Sequence, residues 1–378
     1  MIRAAALVLP FALAGCVDLD RFAPRAVTHF SARTPLGHLA IDTADRSTYH
    51  AAPFLLVDLD DRPGLDLVYA SNGDRSALHV RSGPDFEADE SVPMNATLYR
   101  ALGTGDLDGD GRPELIAPAI DAFRWSAAGL RALDAFVAPG TSSNPAIIAD
   151  VDGDGALDVW MPADGATAVI YRWRWDGAHL IEQPALHAGG GSNASSLFFA
   201  DIDGDGRGDV LLTGEPVGAS THLRAYLAGS TENTRLLDCD VDARAAAVVD
   251  VDGDGRLDLL VSTDRGISVC RGEDGTFGQA QVVVAMTGSA TFSVADFDQD
   301  GRPDLVVSDY YNGATKIWRN TDGTRFESIE ELTLPARQIN LDLFLPATIA
   351  PVDLDRDGRI DICVWAADGL SVLYNQSQ

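Results

Sequence analysis

One acidic nonapeptide recurs along almost the whole chain. In its copy DVDGDGALD, Asp150 to Asp158, four aspartates and two glycines share nine residues. Bare carboxylates packed this closely repel one another and have raised pKa values. Such a segment either surrounds something positive or is an unstructured acidic run. Its recurrence excludes the second. The pattern D-x-D-x-D-G-x-x-[DE] returns as DLDGDGRPE (Asp106, Asp108, Asp110, Glu114), as DIDGDGRGD (Asp201, Asp203, Asp205, Asp209) and as DVDGDGRLD (Asp250, Asp252, Asp254, Asp258). It returns again as DFDQDGRPD (Asp296, Asp298, Asp300, Asp304) and DLDRDGRID (Asp353, Asp355, Asp357, Asp361). A further copy, DLDDRPGLD from Asp58 to Asp66, is worn: Arg62 stands at the third acid and Pro63 at the glycine.

The chemistry of one frame points to calcium. Positions 1, 3, 5 and 9, here Asp150, Asp152, Asp154 and Asp158, offer oxygen ligands, and the wrap turns the carbonyl of position 7 (Ala156) inward. The glycine at position 6 permits the sharp turn. An all-oxygen set on a pliant loop suits Ca²⁺, with Mg²⁺ as the runner-up. Zn²⁺ would call for His or Cys, and the frames hold neither. The frame opens like an EF-hand but lacks its glutamate at position 12, where Ala117, Met161, Leu212, Val261, Val307 and Val364 stand. Turns alone do use Asp and Gly, but a turn needs one or two such residues, not a nine-residue frame in six complete copies. The sequence therefore predicts about six bound Ca²⁺ ions.

After each frame comes a short apolar run, such as DVWMP, DVLLT, DLLVS, DLVVS or DICVW. These read as buried strands, which makes each frame a strand–loop–strand hairpin. The frames recur every 44 to 57 residues, a period that means a propeller or a solenoid. Each unit has room for four strands; in the sixth they are TFSVADF, DLVVS, TKIWRN and RFESIEEL. Seven units of four strands predict an all-β, seven-bladed β-propeller with D-x-D-x-D-G-x-x-D calcium hairpins. An open solenoid would need capping repeats, and none is visible.

On these residues the chain resembles the FG-GAP/VCBS repeats of integrin α-subunit heads and of many bacterial surface proteins. The likeness runs from about Pro53 to Asn375, with GTFGQA near Phe277 the nearest trace of the eponymous signature. It implies a propeller whose hairpins carry Ca²⁺ on the residues named above. After Asp361 only two strands remain, so the last blade lacks its outermost one. The stretch from Arg25 to Tyr49, which contains GHLAID, is available to supply it and close the ring.

Residues 1–15 read as a signal peptide. Arg3 precedes an eleven-residue apolar core, AAALVLPFALA, too short to span a bilayer. LAGC, Leu13 to Cys16, resembles a bacterial lipobox, which implies lipidation of Cys16 and a tether over 16–24 before a propeller over 25–378. Ordinary cleavage near Ala14 is the alternative. Val17 rather than Asp follows Cys16, which favours the outer membrane of the cell envelope. No later segment is apolar for long enough to cross a membrane.

Formal charge is −29 with Lys316 as the single lysine; without a basic stripe, nucleic acid is excluded as a partner. Six divalent ions would reduce the charge to about −17. Of the remaining cysteines, Cys363 reads as a small buried hydrophobe. Cys239 and Cys270 pair only if strand ends of neighbouring blades meet, which the sequence gives no ground to expect.

No H-E-x-x-H, G-x-S-x-G or phosphate loop occurs, and the seven histidines are scattered. The glycine-rich stretch around His187 reads as a blade-to-blade connection. Tyr310 and Tyr311 are candidate recognition aromatics in a surface loop. The expected function is a binding or adhesion propeller for a protein or glycan, held to the membrane by its lipid. The alternative is a polysaccharide lyase or hydrolase with a pocket at the propeller axis.

Overall fold

The computed structural model describes most of residues 30–377; the longest stretches outside it are 1–29, 36–53, 94–101, 135–145 and 188–195. Seven four-stranded antiparallel sheets follow one another along the chain. Blade six, for example, is built from Ala290–Ala295, Asp304–Asp309, Thr315–Asn320 and Phe326–Leu332, the four strands expected from the sequence. The chain is an all-β, seven-bladed β-propeller. Among the described residues no helix is long and apolar enough to cross a membrane.

The run after each frame forms the second strand, and it is apolar throughout because both faces are covered. Leu259, Leu260 and Val261 are all fully buried. Side chains alternate along a strand, so Leu259 and Val261 pack toward blade four while Leu260 packs toward blade six. Outer strands are covered on fewer sides: Gln281–Ala285 buries only Val284. Seven hydrophobic clusters fill the seven gaps between neighbouring blades. The seventh joins Phe54, Leu67 and Phe86 of blade one to Cys363, Leu370 and Val372 of blade seven. The ring is therefore closed by packing as well as by strand pairing.

Blade seven takes its outermost strand from the N-terminal stretch. Thr34–Pro35 pairs antiparallel with Gly369–Leu373, placing Thr34 opposite Val372. Phe30 bridges to Asn375, and the Ser31 amide donates to the Tyr374 carbonyl at 2.9 Å. The pairing residues precede GHLAID, which lies outside the described residues. Deleting residues 17–24 is expected to leave thermal melting unchanged, whereas deleting 17–35 bares the Gly369–Leu373 edge. Size-exclusion chromatography and circular-dichroism melts of the two variants check this. A 17–35 deletion that stays monomeric and melts like the parent overturns strand closure.

Cysteine pairing differs from the expectation. Cys239 and Cys270 form a disulfide with a Cα–Cα distance of 5.8 Å. Cys239 follows blade four's outer strand Thr234–Leu237, and Cys270 ends blade five's third strand Gly266–Cys270. The strand ends meet because both cysteines belong to the apolar cluster between those blades. Cys363 is a buried free cysteine, as expected.

Candidate metal centres

Every frame joins the inner strand of a blade to its second strand, so the seven frames share one face of the ring. Each is closed by its own carboxylates. The position-1 acid accepts the position-6 amide at 2.8 to 2.9 Å in all six complete copies. The position-9 acid accepts the position-2 amide at 2.8 to 3.1 Å in blades two, four, five, six and seven. In blades four to seven the other oxygen of that acid accepts an amide at or just beyond the end of the third strand: Ala228, Gly272, Asn320 or Asn375. The ninth residue is thus buried, 0 to 1 % exposed, and anchors two turns at once.

Position 4 is also constrained, which sequence reasoning missed. It is left-handed in the complete copies, and where glycine is absent Gln299 (φ 59°) and Arg356 (φ 61°) adopt that conformation. Four copies place glycine there, a signal present in the sequence but not read.

The frames bring carboxylate oxygens within 4.8 Å of one another, as with Asp106, Asp108 and Asp110, or Asp201, Asp203 and Asp209. Blade two shows what such a set lacks: Asp106 Oδ1 is buried without a hydrogen-bond partner. Elsewhere burial leaves acids short of compensating charge. Burial and the neighbouring Asp110 and Asp106 push Glu114 up to about 7. Burial likewise pushes Asp296 and Asp361 up to about 6, and Asp304 well above the usual carboxylate range. A hard cation with oxygen ligands fits these frames on both counts.

Arginines enter the frames from two directions, and neither was foreseen. Five complete copies carry Arg at position 7. Arg207 pairs with the position-5 acid Asp205 at 2.7 Å, and Arg256, Arg302 and Arg359 pair likewise with Asp254, Asp300 and Asp357. Others come from the third strand or its end. Arg271 reaches Asp252 at 3.1 Å and Asp258 at 2.9 Å, Arg124 reaches Asp108, and Arg172 and Arg174 both reach the blade-three frame. Burial raises the Asp152 carboxyl, but hydrogen bonds from Arg172 and Arg174 outweigh it and hold the group below its ordinary value.

The worn copy in blade one corrects a further expectation. An arginine at the third acid position suggests pairing with Asp58 or Asp66. Instead the Arg62 side chain, 63 % exposed, turns out to Asp60 at 3.6 Å, and its amide donates to the same carboxylate at 2.8 Å. The guanidinium leaves Asp58, Asp60 and Asp66 together. Asp66 is already tied by the amides of Leu59 and Gly83, so Arg62 meets Asp60 instead.

Buried asparagines link the frames to neighbouring blades. Asn320 Nδ2 in blade six donates to the Val251 carbonyl inside the blade-five frame at 2.8 Å. Asn375 Nδ2 in blade seven does the same to Phe297 of the blade-six frame at 2.8 Å. Order in one frame is thereby coupled to an interblade joint. Tyr310, Tyr311 and the loop beyond His187 lie outside the described residues.

Comparison with known proteins agrees with this architecture. An FG-GAP-like repeat model matches residues 150–212, 250–307 and 296–364, so the chain carries FG-GAP-like repeats. Among solved structures it is similar to an Agrocybe aegerita lectin described as specifically recognising non-reducing terminal N-acetylglucosamine. That likeness has a TM-score of 0.55 at 18 % identity and covers 88 % of this chain and 87 % of the lectin. The V. cholerae biofilm matrix protein Bap1 aligns at 11 % identity and TM-score 0.47, over 86 % of this chain and 77 % of that one. The Photorhabdus luminescens Tc holotoxin pore aligns at 18 % identity and TM-score 0.46, over 94 % of this chain and 15 % of that one. At 18 % identity the likeness to the lectin is one of fold. No curated protein matches the chain in sequence.

Proposed function

We propose that this propeller of FG-GAP-like repeats is an exported, calcium-stiffened binding module for a protein or glycan. One observation carries the reading: the frame acids are spent on closing their own hairpins. The position-1 and position-9 carboxylates accept backbone amides from several directions, which marks them as scaffold rather than reaction centre. A bound Ca²⁺ would supply the positive charge that keeps such buried carboxylates ionised. The chain's own part is to hold the oxygens together and to lock the frames of blades five and six to the next blade through Asn320 and Asn375. What remains for function is recognition by the loops of the ring's faces, and a lectin of similar fold is described as recognising non-reducing terminal N-acetylglucosamine.

The Cys239–Cys270 disulfide supports an oxidising, exported setting, consistent with a signal peptide over 1–15 and a lipidated Cys16. A glycan array probed with the calcium-loaded protein tests the binding reading: a defined set of glycans is expected to be retained with calcium and released by EDTA. Retention of none, together with no protein captured from the cell surface by crosslinking, overturns it. Cys16→Ser is expected to move the protein from the outer-membrane fraction to the soluble periplasmic fraction, and an unchanged distribution rules out the lipid anchor.

A further inference from the structure

The blade-three frame departs from the others in drawing two arginines from its third strand. It alone among the complete copies lacks arginine at position 7, where Ala156 stands. Its third strand, Val169–Trp175, instead brings two arginines. Arg172 and Arg174 are two residues apart, so both leave the same face of the strand, and the register sets Arg174 opposite Asp158.

Together they occupy the frame. Arg174 donates from Nε to Asp158 Oδ1 at 2.9 Å and from Nη2 to Asp152 Oδ2 at 2.9 Å. Its Nη1 pairs with Asp154 Oδ2 at 2.6 Å, the acid that a position-7 arginine takes in other blades. Arg172 reaches Asp158 Oδ2 through Nε at 3.0 Å and Asp152 Oδ2 through Nη2 at 2.5 Å. The remaining acid, Asp150, accepts the amides of Gly153, Asp154 and Gly155. Arg172 is further held over the Trp160 ring, 4.9 Å from its centroid.

We infer that the blade-three frame is closed by Arg172 and Arg174 in place of calcium and binds no ion. The inference rests on the calcium reading of the other frames. Two guanidinium charges equal the charge of one divalent ion, and their N–H groups already meet oxygens of three of the four acids. A Ca²⁺ ion needs six to eight oxygens at 2.3–2.6 Å. To enter, it would bring two positive charges against two more and break bidentate, charge-assisted bonds. Blade four has no such substitute: the corresponding register places are Ala225 and, two residues on, Leu227.

Native mass spectrometry of the calcium-loaded full chain, counting bound ions, tests this. Asp203→Asn/Asp205→Asn in blade four is expected to lose one ion. Asp152→Asn/Asp154→Asn in blade three is expected to keep the parent's number. Arg172→Gln/Arg174→Gln, which frees the blade-three acids, is expected to gain one ion, and this gain stays readable even if the aspartate variant folds poorly. An ion lost from Asp152→Asn/Asp154→Asn, or no gain from the arginine variant, overturns the inference alone. An unchanged count in Asp203→Asn/Asp205→Asn overturns the calcium reading of the blade-four frame instead.

Discussion

Stripping calcium with EDTA near pH 7.5 is expected to lower the thermal midpoint of the full chain by more than about 10 °C. A site held at a hundredfold excess of ligand over its dissociation constant adds about 2.7 kcal/mol to the folded state. About 1 kcal/mol moves the midpoint of a domain this large by roughly 1 to 2 °C, and several sites act together. The molecule also offers the means by which the loss would spread. In blade six Asp298 is 3 % exposed and Asp304 is fully buried; burial pushes Asp304 well above the usual carboxylate range, and the charge of Asp298 pushes it further. Without a cation these repel inside a frame whose Phe297 carbonyl holds blade seven through Asn375. Melts in millimolar Ca²⁺ and in EDTA measure the difference, and coincident midpoints overturn the calcium reading.

The pH dependence of that midpoint is expected to change sign with calcium. In the metal-free protein Glu114 is pushed up from 4.5 to about 7, and Asp296 and Asp361 from 3.8 to about 6, chiefly by burial. The folded state thus holds protons that the unfolded chain has released. The resulting stability is fully present below about pH 4 and is lost as pH rises through 6 to 7. In EDTA the midpoint should therefore rise as pH falls from about 7.5 to about 5.5. In calcium it should fall over the same range, because protons compete with the ion for the carboxylates. Glu114→Gln, neutral at every pH, should flatten part of the EDTA slope. Slopes of the same sign in both media would show that these acids do not meet a metal ion.

Much of the candidate site was legible from the chain because a hairpin frame is local. Asp250 to Asp258 contains its own four carboxylates, its own turn glycine and the start of its own strand. The arginines were harder to read. Arg207 and its equivalents stand at position 7 of five copies and were visible, yet nothing local says that they turn back onto position 5. Arg172 and Arg174 sit on a third strand and Arg271 just past the end of one, and only the strand register brings them onto acids up to 22 residues away, as for Arg174 and Asp152. Arg62 was misread for the opposite reason: its place in the frame suggested an inward charge, but a long side chain beside a worn turn reaches water more cheaply than a buried site.

The sequence by itself determined the number of blades, their four-strand unit, the face that carries the acidic frames and the identity of the buried second strands. These follow from a repeated nonapeptide and the short unbroken apolar run after it, both of which act over a few residues. Only the tertiary structure decided which residues of the 25–49 stretch close the ring, that Cys239 meets Cys270, that Arg172 and Arg174 both reach the blade-three acids, and that Asn320 and Asn375 lock two frames to their neighbours. Those outcomes join groups far apart in the chain, Asn375 to Phe297 across 78 residues and Tyr374 to Ser31 across 343. Such pairs form only once the blades have packed and the register of every strand is set, so no short window of sequence contains both partners.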